Sequence, residues 1–236
     1  MDDGLANLAL LAVMFVGSHF ILSHPPVRKF LIHRWNVWPF RIIYSTIAII
    51  LFLMMIVAYG DAPDVPLALP ALTLAPLVAM PLAAILIFCG YTIANPSAAG
   101  TENMGKGQPV PGILKITRQP TMWGVTLFSV AHMAANPDAA AWIFFGALAV
   151  LALAGSYFLD RRKQGERDDS WQGLMAVSSF VPFAALLSGR ARLSVGEIGW
   201  WRILGGLVLF GAVLMAHEMV IGSAPLPPEL MALIQV

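Results

Sequence analysis

The chain holds a single cysteine, Cys89, among its 236 residues. One thiol forms no intrachain disulfide and builds no thiolate metal cluster. Within the run "AAILIFCGY" it reads as a small apolar filler. Charge is scarce as well: Asp, Glu, Lys and Arg make up 11% of the residues, where a soluble domain carries about a quarter. That deficit excludes a water-facing surface over most of the molecule. Phosphate-cradling glycine loops, HExxH helices and GxSxG elbows are missing, so none of those chemistries has a signature here. The basic residues occur in short groups with no folded domain to present them, which leaves nucleic acid without a binding surface. The first residues, "MDD", are acidic where a cleavable secretory peptide is basic, so the first apolar segment reads as a signal-anchor.

What is abundant is apolar sequence. Hydrophobic residues make up 58% of the chain and the mean hydropathy is +0.77. A helix needs about 20 mostly apolar residues to cross the hydrocarbon layer. Seven segments approach or meet that length, at 5–22, 40–59, 74–94, 119–135, 139–159, 171–188 and 201–221. The expected fold is therefore all-α, a polytopic transmembrane bundle of six to seven spans in one domain covering 1–236. A long cytoplasmic loop at 95–118, rich in Gly and Pro, interrupts it. Pro63, Pro66, Pro70, Pro76 and Pro81 predict an extended approach to the third segment and a bend within it. Between the first two segments, "HPPVRKFLIHRWNVWPF" alternates cations with Phe30, Leu31, Ile32, Trp35 and Trp38. This pattern predicts a short amphipathic helix lying among lipid headgroups.

All fourteen Lys and Arg fall in four groups: Arg28, Lys29, Arg34 and Arg41; Lys106, Lys115 and Arg118; Arg161, Arg162, Lys163 and Arg167; Arg190, Arg192 and Arg202. The positive-inside rule assigns the first three groups to the cytoplasm and turns the N-terminus outward. The fourth group conflicts with a full crossing by 171–188. "SWQGLMAVSSFVPFAALLSGR" is short and contains Ser178, Ser179 and Pro182. A broken, re-entrant element keeps Arg190 and Arg192 inside and sends the last span outward, and the charge rule favours it.

Ionisable groups in lipid are costly and mark function by default. His19, His132 and His217 sit within apolar segments, with Glu218 beside His217. Each histidine alone is as readily a helix–helix hydrogen bond as a ligand. Three of the chain's five histidines placed this way point to a shared group, because neutral imidazoles enter lipid and are usual axial ligands of haem iron. Zinc fits less well, since it wants further close ligands and Glu218 points about 100° from His217 on a helix. Depth discriminates among the pairs. His132 is about 21 Å above Arg118, and His217 is about 22 Å above Arg202 if the last span runs outward. Seven full spans would instead bring His217 to the level of His19.

The residues also carry a family likeness. "HFILS" (19–23), "FRIIYS" (40–45), "ITRQPTMWG" (116–124), "AHMAANPD" (131–138), "FGALAVLALAGSYFLDRRK" (145–163) and "GSAPLP" (222–227), with His217 between the last two, occur in this order. In them the chain resembles the NnrU family of bacterial membrane proteins, named for a link to nitrite and nitric oxide reduction and related to 15-cis-zeta-carotene isomerase. The resemblance implies a helical bundle in the bacterial inner membrane and, from the isomerase branch, haem b held by histidines. Carried over by position, the candidate metal ligands are His19 and His132, with His217 a further position of the pattern. Where the family has Arg-His-Pro this chain has Arg118-Gln119-Pro120. A neutral amide neither ligates haem iron nor shuttles a proton, so a role tied to that histidine does not transfer.

Pro120 suits the first turn of a helix, where its missing N–H costs nothing. Arg118 is the cytoplasmic anchor and a candidate partner for a haem propionate or lipid phosphate, and Trp123 reads as packing. The leading functional expectation is a haem b membrane protein, either an isomerase acting on an apolar cis-polyene (carotenoid) or a relative with a denitrification-linked redox or sensing role. Two others stand beside it. A lipid-directed methyltransferase would gather Arg118, Arg161 and Arg162 around a cytoplasmic pocket. A non-enzymatic accessory or assembly subunit would use the histidines only for hydrogen bonds among helices and lipids.

Overall fold

A computed structural model describes residues 3–95, 110–165, 169–225 and 230. Among them the regular structure is helical: α1 (Asp3–Ser23), α2 (Pro25–Trp35), α3 (Val37–Gly60), α4 (Ala75–Thr92), α5 (Gly112–Ile116), α6 (Pro120–Ala135), α7 (Ala139–Gly165), α8 (Asp169–Val177), α9 (Ala184–Leu187) and α10 (Trp200–Ile221). Five of these, α1, α3, α4, α7 and α10, are long and apolar enough to cross a membrane. With 16 residues, α6 is about 24 Å long and lies against α4 and α7. The central part of the expected cytoplasmic loop, 96–109, lies outside the described residues. Its C-terminal part is not simply loop, because α5 forms there and packs Ile113 and Leu114 beside Cys89, Ile93 and Trp171. Cys89 is fully buried in that cluster, as an apolar filler would be.

The long helices follow one another across the bundle in the order α3, α1, α7, α6, α4, α10, each touching the next. Their ends sort by charge. At one end, Phe20 of α1 meets Phe158 of α7, and α5 rests against Glu197 and Ile198 just before α10. Arg118, before α6, pairs there with Asp160 of α7. At the other end no Lys or Arg occurs among the described residues. There the irregular stretch between α3 and α4 closes on the α6–α7 turn through Leu72 N–H to the Ala134 carbonyl, Leu67 N–H to Pro137 and Ala139 N–H to Val65. The prolines of that stretch explain its extended course, since they remove donors and hold φ near −65°.

The 171–188 segment is not a continuous helix. It breaks after Val177 and resumes for one turn at Ala184–Leu187, with Phe183 in the left-handed region between (φ 65°). The intervening irregular stretch is tied to the chain before α6 by Arg118 N–H to the Ser179 carbonyl and Phe183 N–H to the Ile116 carbonyl. Thr117 Oγ1 and Trp123 Nε1 both donate to the Phe180 carbonyl at 2.9 Å. These bonds satisfy backbone that neither helix nor lipid can satisfy. They also hold the segment at the basic end, from which α10 starts.

Close approach of α4 to its neighbours depends on glycine. A Cβ added at Gly124 would stand 2.6 Å from Ile87 Cγ1 and 2.8 Å from the Ala83 carbonyl oxygen. At Gly206 it would stand 2.5 Å from Ile85 Cα. Lipid is as apolar as leucine, so helices in it associate through such close packing rather than through the hydrophobic effect. Gly124→Val is expected to force α4 and α6 apart and to lower stability by about 1–3 kcal/mol, read as an earlier midpoint in detergent unfolding. Gly146→Val, at a glycine with nothing within 4 Å of an added Cβ, should change little.

Candidate functional site

The three histidines divide between the two ends. His19 lies four residues before the end of α1, at the basic end, with its ring against Phe15 and Tyr44. His132 lies three residues before the end of α6, at the end without described Lys or Arg, stacked on Phe145 with centroids 4.7 Å apart. His217 lies four residues before the end of α10. Because α10 starts at the basic end, His217 lies in the same half of the bundle as His132. The arrangement in which His217 would accompany His19 does not occur. Along their helices, His19 is about 6 Å and His132 about 18 Å from the basic end. Two imidazoles on opposite faces of one metal need nitrogens about 4 Å apart, at about 2 Å per bond. The rings of His19 and His132 differ by about 12 Å in level along their helices.

All three rings share one hydrogen-bonding pattern. Nδ1 lies 2.6 Å from the Phe15 carbonyl in His19, 2.8 Å from the Phe128 carbonyl in His132 and 2.9 Å from the Ser223 carbonyl in His217. A carbonyl only accepts, so Nδ1 carries the proton and Nε2 of the neutral ring keeps its lone pair. That is the tautomer a histidine adopts when its outer nitrogen is fixed by a carbonyl and its inner one faces a metal. Glu218 is exposed and joins no set. Among the described residues no three His, Cys, Asp or Glu gather closely enough for a metal ion.

The basic end holds a second polar centre that the sequence reading only half identified. Arg118 and Asp160 form a bidentate pair through Nε with Oδ1 and through Nη2 with Oδ2 at 2.9 Å. Both side chains are nearly inaccessible, at 8% and 6%. Gln164 donates to the same Asp160 oxygen at 2.9 Å, and Arg118 Nη1 donates to the Ser178 carbonyl at 3.3 Å. Arg118 thus has a carboxylate partner within the protein. Asp160 was missed because "LDRRK" reads as a juxtamembrane anchor. Its signal was a lone carboxylate in the last apolar turns of a span. Gln119 Nε2, Thr121 Oγ1 and Ser178 Oγ are buried without a hydrogen-bond partner.

The profile of the NnrU protein family matches residues 7–225, from the first turns of α1 past the end of α10. The chain belongs to the NnrU family. No curated protein and no solved structure matches it. The family match spans all three histidines and the Arg118–Asp160 pair. In this NnrU-family chain an open apolar groove of about 420 Å³ lies between α1 and α7, lined by small residues such as Ala9, Ala12, Gly17, Gly146 and Ala147. None of the histidines lines it.

One contact at the basic end titrates outside the spans. Lys115 Nζ donates to Glu197 Oε2 at 2.8 Å and ties α5 to the turn before α10. The Lys115 bond, aided by Ser194 N–H, holds the Glu197 carboxyl below its ordinary range. A depressed carboxylate stabilises the folded state above its unfolded pKa, and that contribution is lost as pH falls through the folded value. Backbone amides of 194–199 are accordingly expected to exchange faster as pH drops below the usual carboxylate range, after correction for intrinsic rates. Glu197→Gln should abolish that acid-dependent acceleration. If the variant keeps it, the tether is not its source.

Proposed function

We propose that this NnrU-family chain is an intramembrane haem b protein in which His132 and His217 would hold the iron, with a redox or sensing role. The observation that carries the reading is the placement of these two imidazoles. They lie in the same half of the bundle on α6 and α10, and each has Nδ1 fixed by a carbonyl. This donor set suits iron in type: two imidazoles, each with Nδ1 against a carbonyl, leaving Nε2 to face a metal. The Phe128 and Ser223 carbonyls would hold the tautomers, while Phe145 fixes the plane of the His132 ring. Bound haem would supply one-electron chemistry, or polarise a polyene to ease rotation about a double bond.

The relation of the family to 15-cis-zeta-carotene isomerase keeps polyene isomerisation as the second reading. The α1–α7 groove offers an apolar slot for such a chain, yet it lies away from the His132–His217 pair, which favours redox or sensing. The methyltransferase reading has less support. Arg118 is bound to Asp160, and Arg161 lies over Tyr157 instead of converging with Arg118 on a pocket.

We also place the basic end in the cytoplasm and the N-terminus outside, with α1, α3, α4, α6, α7 and α10 as six crossings of a bacterial inner membrane. The α8–α9 segment then enters only part-way, and α2 lies among headgroups with no buried residue and Phe30 and Trp38 exposed. The test is an absorption spectrum of protein purified in detergent after expression with haem supply. A Soret band with one haem b per chain by the pyridine adduct is expected. A colourless protein that also fails to take up added haem rejects the proposal.

A further inference from the structure

We propose that α2 and the turn leading into α3 form a docking surface for anionic phospholipid headgroups in the leaflet at the basic end. The inference rests on the reading of α2 as a helix among headgroups and is independent of the haem assignment.

The helix is set apart from both spans that flank it. Its 11 residues make about 16 Å, roughly half the hydrocarbon thickness. His24, held extended before Pro25 (ψ 128°), separates it from α1, and Asn36 in the left-handed region (φ 69°) separates it from α3. Neither conformation continues a helix. Near the end of α1, His19 meets Tyr44 of α3 and Phe20 meets Phe158 of α7. The link between the two spans therefore lies at the basic end. No residue of α2 is buried, and its main contacts are with α1 and α3.

The exposed side chains are of two kinds. Phe30 is 67% exposed and Trp38 72%, and Trp35 is exposed between them. Such rings settle at the headgroup level, which places the surface against lipid rather than against a peptide or nucleic acid in water. Lys29 and Arg34 are exposed among them, while Arg28 lies over Phe40 and Arg41 over Trp38, each at 5.8 Å.

Charge selects the headgroup. The segment holds Arg28, Lys29, Arg34 and Arg41, and no Asp or Glu occurs from Gly4 to Gly60. A zwitterionic head brings an ammonium together with its phosphate, and lysine and arginine repel that cation. An anionic head brings the phosphate alone, which a guanidinium binds through paired N–H groups. Clusters of cations beside a span attract anionic lipid for this reason.

The test uses the full chain in nanodiscs of phosphatidylglycerol mixed with phosphatidylcholine. Native mass spectrometry counts the lipids retained on release by the wild type, by Lys29→Gln with Arg34→Gln, and by Arg161→Gln with Arg192→Gln. The last pair removes the same charge from exposed positions elsewhere at the basic end. A bimane label on Phe30→Cys, read by quenching with brominated lipid, reports the placement of α2, and Cys89 is fully buried. Expected are a quenched label and preferential retention of phosphatidylglycerol, weakened at least about tenfold by the α2 pair and little by the other. Equal retention of both lipids, or equal loss in the two pairs, overturns the proposal, and a quenched label then leaves α2 among headgroups. An unquenched label overturns the placement and the proposal together.

Discussion

Asp160→Leu is expected to lower the stability of the purified protein by about 3–5 kcal/mol, read from unfolding in mixed detergent. The magnitude follows from what the substitution leaves behind. Arg118 is 7% exposed and loses a bidentate carboxylate. Burying an ion without its counter-ion is far costlier than burying the pair. A planar guanidinium also cannot remake both bonds with a single carbonyl such as that of Ser178. Arg118→Met combined with Asp160→Leu removes both charges and should recover a large part of the loss. If the single and double variants are equally destabilised, the effect lies in packing rather than in the pair. The consequence extends beyond one contact, because Arg118 links α7, the start of α6 and the broken segment after α8. Loss of that link should loosen the basic end first.

His132→Ala and His217→Ala are each expected to lose stable haem, whereas His19→Ala should keep it. The contrast is stronger than any single loss, since all three histidines lie in helices and bind a carbonyl through Nδ1. Only position distinguishes them. The His19 ring sits between Phe15 and Tyr44 at the basic end, and deleting it removes packing without touching the pair on α6 and α10. With one axial ligand removed, the remaining imidazole would leave a weaker, partly exposed site, because His217 stands on a helix largely open to its surroundings. Equal haem content in His132→Ala and wild type would show that the ligands lie elsewhere, even if the protein is coloured.

Most of the helices could be read from local sequence because hydropathy is a local property. The runs at 5–22, 40–59, 74–94, 119–135, 139–159 and 201–221 correspond to α1, α3, α4, α6, α7 and α10. The run at 171–188 was ambiguous for a physical reason. Its composition suits burial, but its two serines and proline do not sustain a helix, and the compensating bonds come from residues 116–123, far along the chain. The same non-locality hid Asp160: its partner is 42 positions away, and a window over "LDRRK" registers only a basic flank. Five-residue α5 was lost in a Gly- and Pro-rich loop because one turn shows no periodicity. The level of His217 hinged on the direction of α10, which the charge rule favoured and the contacts at the basic end now support. The orphaned atoms of Gln119, Thr121 and Ser178 had no sequence signature, since burial without a partner exists only in three dimensions.

The most direct test of the haem assignment is low-temperature electron paramagnetic resonance of the oxidised protein, beside the His132→Ala variant. The account predicts a low-spin ferric signal of two imidazole ligands in the wild type, replaced by a high-spin signal or lost with the haem in the variant. A wild-type preparation with no haem signal, or a low-spin signal unchanged by His132→Ala, would contradict it.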